Sequence, residues 1–143
     1  MSKGLKESEL LAAYLWDKYR TRPQWKNVRL GPLPSAEMAR MYMVALRYAD
    51  AIVDAEGKII IIEASLLADP GKVGQLENYI KLFPSTPEFS QYKDWPIEAQ
   101  LLSARMSLDT MELASAKGYK FIVFDINDVN RVRTEMQKPL LQE

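Results

Sequence analysis

The chain has 143 residues, which is enough for one domain with a single sizeable core. Its 19 Lys and Arg balance its 19 Asp and Glu, so an overall basic coat for nucleic acid is excluded, although a local basic patch is not. Cys and His are both absent, which excludes disulfides, zinc–thiolate sites, cysteine nucleophiles and histidine general bases. Any metal would have to be a hard cation held by carboxylates, backbone carbonyls and water.

The first half of the chain is predicted to form one helix and three strands. Apolar residues at helical spacing precede Pro23, and the turn dipeptide Glu56–Gly57 lies between two β-prone runs, which indicates an antiparallel hairpin. In chain order we expect a helix over 5–19, a short strand over 27–30, a segment over 35–46 that is helix or strand, and hairpin strands over 47–54 and 58–64.

The second hairpin strand carries four consecutive isoleucines, Ile59 to Ile62. β-branched side chains on both faces favour a strand that is covered on both sides, and hence central in its sheet. This run is also the longest strongly apolar stretch and is far too short to span a membrane.

The second half alternates helices with strands. Asp69–Pro70 marks a helix start, Pro84 its end, and Gly118 the stop of the following helix. We expect a helix over 70–83, a long aromatic-bearing loop over 85–96, a strand over 97–104, a helix over 107–117, a strand over 119–124 and a tail over 125–143 that forms a short helix and then frays. The order predicts one α/β (α+β) domain over 1–143, with a mixed sheet, right-handed crossovers and helices on both faces.

The hairpin also places two acids close together. A two-residue turn at Glu56–Gly57 sets Asp50 directly opposite Glu63, whereas a three-residue turn would set Asp50 opposite Ile62. Like charges in that position are tolerated if the pair is protonated, gains cationic partners or binds a divalent metal. The alternative is a solvated strand end, with both acids paired to basic neighbours such as Arg47, Lys58 or Lys72.

These segments resemble the PD-(D/E)xK nuclease superfamily, and especially its short members from tailed bacteriophages. The similarity rests on three pieces: the strand at 47–53, the strand at 60–65 and the Gln-x-x-x-Tyr helix at 74–79. It spans about residues 5–124 and implies a restriction-endonuclease-like αβββαβ core.

The resemblance implies roles for individual residues. Asp50 matches the metal-binding aspartate, Glu63 matches the first acid of the acidic-x-Lys tripeptide, and Gln75 and Tyr79 match the polar pair of the helix. Glu9 on the first helix is similar to an acid that some members add to the metal site, with Glu7 as a weaker candidate. For Glu9 the alternative is a solvated acid favoured by the helix dipole, and for the helix pair it is ordinary helix surface.

Ser65 occupies the family's lysine position and cannot supply that residue's positive charge. Lys72 lies one turn before Gln75 on the same helix face, so we expect it to substitute for the missing lysine. The alternative is that Lys72 is a solvated residue at the helix start.

If the chain is active, the resemblance implies DNA phosphodiester hydrolysis assisted by Mg²⁺ or Mn²⁺ on Asp50 and Glu63. A basic approach surface is then required. The stretch with Arg20, Arg22, Lys26, Arg29 and the aromatic Trp25 is the better candidate, and the cluster of Arg131, Arg133 and Lys138 is the weaker one. The alternative for both is a solvated surface.

Two hypotheses therefore remain open. One is a nuclease located in the host-cell cytoplasm. The other is a catalytically silent protein of the same fold that serves as a structural or assembly part of a phage particle, such as a head–tail connector, with phage structural proteins or further copies of itself as partners. Aromatics and methionines outside the regular elements would suit a partner surface, or else anchor the core and loops: Phe89, Tyr92, Trp95, Met38, Met41 and Met43. A small-molecule enzyme has little support, because no glycine-rich phosphate loop is present.

Overall fold

The computed structural model describes residues 3–32 and 47–143. The ambiguous segment at 35–46, with Met38, Met41 and Met43, lies outside these residues. Within the described part, the helices and strands follow the predicted order: α1 (Glu7–Tyr19), β1 (Gln24–Leu30), β2 (Arg47–Asp54), β3 (Ile59–Ser65), α2 (Pro70–Leu82), β4 (Ile97–Ser103), α3 (Leu108–Ala116), β5 (Lys120–Val123) and α4 (Ile126–Glu135).

The five strands form one mixed sheet in the order β1-β2-β3-β4-β5. β1, β2 and β3 are antiparallel neighbours, and β3, β4 and β5 are parallel neighbours. The two parallel connections pass through α2 and α3, since parallel strands need a crossover. The predicted fold class, a mixed sheet flanked by helices, is confirmed.

The central strand β3 is buried along its whole length. Ile60 and Ile62 belong to a core shared with α1 and α4, whereas Ile59 and Ile61 belong to a core shared with α2. The sheet therefore has a helical layer on each face, as the run of isoleucines predicts.

The hairpin between β2 and β3 has the predicted two-residue turn. Both central residues have positive φ, 57° at Glu56 and 103° at Gly57, as a type I′ turn requires. The ladder pairs Ala51 with Ile62, and the same register extended by one residue sets Asp50 opposite Glu63.

The segment between α2 and β4 is more ordered than the loop expected there. It contains two 3₁₀ helices, Phe83–Ser85 and Pro87–Tyr92. Phe89 and Tyr92 are buried, and Phe89 meets Trp25 of β1 edge-on with ring centroids 5.0 Å apart. These aromatics belong to the core, because their apolar area is removed from water against β1.

Two predicted helix starts are confirmed in position but not in capping. Asp69 and Ser107 both have the extended backbone of an N-cap, yet neither side chain makes a capping hydrogen bond. The Ser107 hydroxyl donates to Thr110 Oγ1 instead.

The tail does not fray after its helix. Asp125 and Asp128 form a reciprocal capping box at the start of α4, and Leu141 is buried against α1 and α4. The side chain of Asn130 holds both backbone groups of Leu141, and Gln142 pairs with the backbone around Gly4. The long-range apolar contact of Leu141 is what orders the segment.

No helix in residues 3–32 and 47–143 has both the length and the apolar character needed to cross a membrane.

Candidate active site

Asp50 lies where the β2–β3 ladder ends. Its Oδ2 accepts a hydrogen bond of 2.7 Å from the backbone N–H of Ala64. The carboxylate therefore takes the place of the next backbone hydrogen bond between the two strands. One carboxylate oxygen is thereby fixed by the neighbouring strand.

Glu63 is the buried acid of the pair. Its side chain is 4% exposed, and its Oε2 has no hydrogen-bond partner within the described residues. Burial, and then the hydrogen bond and charge of neighbouring Asp50, raise the pKa of Glu63 to about 8, against the opposing effects of Tyr79 and Lys72. An ionised carboxylate is expensive in this environment, and one of its oxygens lacks even a neutral partner.

Helix α2 supplies the polar residues that face this acid. Tyr79 is buried and hydrogen-bonds the Glu63 carboxylate, and the positive charge of Lys72 favours its ionised form. Gln75 is half-buried between them, about one turn from each. The structure thus brings Asp50, Glu63, Lys72 and Tyr79 together, with Gln75 on the same helix.

Ser65 is buried two residues after Glu63 and lies beside Ser103 of β4. Its hydroxyl donates to the carbonyl of Leu67 at 3.0 Å. The side chain of Ser65 is therefore neutral and is hydrogen-bonded within a turn.

The two acids of α1 are placed differently from each other. Glu9 lies 3.8 Å from Arg133 of α4, whereas Glu7 lines a cavity of about 350 Å³ that Asp50 also lines. Within the described ranges, no group of three or more acidic side chains is arranged to hold a metal ion. Glu9 therefore does not join Asp50 and Glu63, and Glu7 is the α1 acid that shares a cavity with Asp50.

Asn27 is a site residue that the sequence reasoning missed. It lines the same cavity, and it lies across from Asp50 between the paired residues Lys26–Ala51 and Val28–Ala49. Its φ of 52° is left-handed, which asparagine tolerates better than most residues. An asparagine as the first residue of the predicted strand was the available signal, because asparagine is disfavoured in strands.

Much of the basic surface expected for DNA is already paired. Arg22 contacts Asp54 at 3.1 Å and Arg29 contacts Glu88 at 2.9 Å. In the second cluster, Arg131 contacts Asp17 at 3.1 Å and Arg133 lies near Glu9. These four cations are less available to a phosphate than their sequence positions suggest.

No protein-family model and no curated protein matches this chain. Several solved structures match its fold, among them the following three. A repair endonuclease from Pyrococcus abyssi is 14% identical with a TM-score of 0.52, over 87% of this chain and 50% of that one. EndoMS, in a complex with double-stranded DNA, is 15% identical with a TM-score of 0.52, over 87% of this chain and 46% of EndoMS. A protein of unknown function is 11% identical with a TM-score of 0.57, over 89% of this chain and 65% of that protein.

This chain spans about half the length of the Pyrococcus abyssi endonuclease and of EndoMS. At such low identity, the likeness concerns the fold alone. With its αβββαβ order and mixed sheet, the chain has a restriction-endonuclease-like nuclease fold.

Proposed function

We propose that this chain is a nuclease domain that hydrolyses DNA phosphodiester bonds with the help of Mg²⁺ or Mn²⁺ at Asp50 and Glu63. One observation carries the proposal: the buried Glu63 has an unbonded oxygen and faces a second acid. Such an arrangement costs stability in the absence of a ligand, and a divalent cation would offset that cost.

The donor set suits a hard cation. Mg²⁺ is commonly held by one or two carboxylates together with water and substrate phosphate, so a third protein acid is not required. Glu63 Oε2 and the carboxylate of Asp50 would hold the ion. When bound, the ion polarises the phosphate and lowers the pKa of a water molecule.

The surrounding residues have distinct tasks under this proposal. The Ala64 N–H fixes Asp50, and Tyr79 orients Glu63. Lys72 contributes the positive charge that Ser65 lacks, which would stabilise charge developing on the phosphate. Its electrostatic effect on Glu63 supports this substitution.

DNA is proposed as the substrate because two proteins of the same fold are described as a repair endonuclease and as a complex of EndoMS with double-stranded DNA. A lysine beside a pair of acids suits a phosphodiester, whose negative charge must be neutralised for attack.

A cleavage assay tests the proposal. The purified chain is incubated with supercoiled plasmid or single-stranded DNA and Mn²⁺ or Mg²⁺, beside Asp50→Asn, Glu63→Gln and the control Glu112→Gln, which removes an exposed acid of α3. We expect nicking by the unmodified chain and the control, and a loss of at least about 100-fold in both site variants. Equal nicking by Asp50→Asn would show that a contaminant or another site is responsible.

Lys72→Ala tests the proposed replacement of the motif lysine. We expect kcat to fall about 100-fold, because one charge that stabilises the transition state is removed. The control is Lys81→Ala, which removes an exposed lysine of the same helix. Unchanged cleavage by Lys72→Ala would contradict the role given to Lys72.

A second function is favoured by the state of Ser65. Its hydroxyl is committed to Leu67, and no cation occupies the lysine position. The alternative proposal is a catalytically silent protein of nuclease fold that serves as a structural or assembly component, as in a phage particle. This alternative predicts no cleavage, no change in melting temperature with Mn²⁺, and self-association measured by light scattering.

A further inference from the structure

Three basic side chains near α1 differ from the paired arginines described above. Arg20, Lys26 and Lys138 are exposed, and none makes an ion pair with an acid in the part of the chain that the structure describes. Arg20 stacks on Trp16, with its guanidinium carbon 4.1 Å from the ring centroid, and donates to the Trp16 carbonyl. Trp16 is a neutral partner, so it holds the guanidinium group in place without neutralising its positive charge.

These three cations line one groove, which we call the α1 groove. Its volume is about 380 Å³, and its lining contains no acidic residue: Ala12, Leu15, Trp16, Arg20, Gln24, Lys26, Met136 and Lys138. The cations come from the end of α1, from β1 and from the segment after α4. Tertiary packing thus unites members of two clusters that lie more than a hundred residues apart in the sequence.

The α1 groove lies beside the cavity that Asp50 lines. Lys26 lines both the groove and the cavity that contains Asp50. Helix α1 borders the cavity with Glu7, Ser8 and Leu11 and borders the groove with later residues, so the two follow one another along the helix. The distance from Glu7 to Arg20 along the axis is ~20 Å at the usual helical rise.

We infer that the α1 groove binds the phosphodiester backbone of a nucleic-acid strand and guides it to the acidic site. The inference rests on the proposed function, and it assigns the surface that holds the substrate. Negative charge at Asp50 and Glu7 repels phosphates, so an approaching strand needs cations directly beside them. Lys26 lies at that boundary, while Arg20 and Lys138 extend the positive surface away from it.

The test is binding without cleavage. A short fluorescein-labelled DNA, single-stranded or duplex, is titrated with the protein in EDTA, and anisotropy is followed over a range of salt concentrations. We expect Lys26→Gln/Lys138→Gln to bind about tenfold more weakly, and the slope of log affinity against log salt to fall by about 2. Arg20→Gln added to this variant should weaken binding further.

The matched control is Lys81→Gln/Lys93→Gln, which removes the same formal charge from α2 and the end of the second 3₁₀ helix. We expect it to bind DNA like the unmodified chain. Circular dichroism confirms that both variants are folded. Equal binding by the groove variant and the unmodified chain, an equal loss in the control, or no DNA binding by the unmodified chain would each overturn the inference.

The assay separates this inference from the proposed function. If DNA binding depends on the groove but no metal supports cleavage, the proposed role of the groove stands and the proposed nuclease activity is wrong. If cleavage depends on Asp50 but the groove variant binds DNA fully, the proposed nuclease activity stands and the proposed role of the groove is wrong.

Discussion

Glu63 shows how one side chain can be unfavourable for folding and suited to chemistry. It is buried in the central strand, faces Asp50 and leaves one oxygen without a hydrogen bond. Both burial and the neighbouring acid favour its protonated form. A bound cation would reverse that preference, so metal affinity should rise with pH as the proton is displaced.

The raised pKa of Glu63 gives a pH-dependent stability. The folded chain holds this proton up to about pH 8, whereas the unfolded chain loses it near 4.5. Between these values the unfolded state binds fewer protons, so the free energy of unfolding falls as pH rises, by at most about 1.4 kcal/mol per pH unit. Glu63→Gln should remove this loss and be more stable than the unmodified chain at pH 8 in EDTA, with little difference at pH 5.

Urea unfolding at both pH values measures the effect. Glu77→Gln is the control, and its effect on the free energy of unfolding should have the opposite sign. The hydrogen bond and charge of Lys117 lower the pKa of Glu77, so the ionised form of Glu77 favours the folded state. An advantage of Glu63→Gln that is the same at pH 5 and pH 8 would contradict the buried, protonated state of Glu63.

At the scale of elements, the β2–β3 hairpin determines which residues meet. Its two-residue turn sets the register, and a shift of one residue would turn the acid of one strand to the other face of the sheet. Gly57 supports this turn with φ of 103°, a conformation that is unfavourable for other residues. The site therefore depends on backbone geometry several residues away from the acids.

Gly57→Ala should lower the free energy of unfolding by about 1–2 kcal/mol. No atom lies within 4 Å of the position of the added Cβ, so the cost comes from the backbone. Gly74→Ala is the matched control: it lies in α2 with equally open surroundings, and it should gain about 0.5–1 kcal/mol. Chemical denaturation compares the two, and a loss of equal size in both would contradict the role given to the backbone conformation of Gly57.

At the scale of the molecule, the two ends of the described chain stabilise the α1 layer. Leu141 is buried between α1 and α4, and the backbone around Gly4 pairs with Gln142. This layer carries the helix that borders both the acidic cavity and the α1 groove. The order of the tail is thus linked to the geometry of the candidate site.

Leu141→Ala should destabilise the fold by about 2–3 kcal/mol, because a well-packed side chain is removed. The neighbouring Leu140 provides the control: it is 55% exposed, against 5% for Leu141, and Leu140→Ala should change stability by less than about 0.5 kcal/mol. Urea unfolding of both variants measures the difference. Similar small effects would mean that the tail is not docked in solution.

Local sequence patterns were enough to predict most of the fold and the central pair of acids. The Glu56–Gly57 turn, the four isoleucines and Asp69–Pro70 act over a few residues, so their effects on backbone and register can be read from neighbouring positions. The approach of Asp50 to Glu63 follows from that register.

Contacts between distant elements were decided only by the tertiary structure. The rotation of α1 on the sheet places Glu7 at the cavity and Glu9 beside Arg133, and long-range packing pairs Arg22 with Asp54 while it leaves Lys26 and Lys138 around one groove. These outcomes depend on helix orientation and on neighbours far along the chain, which local propensity and spacing do not encode.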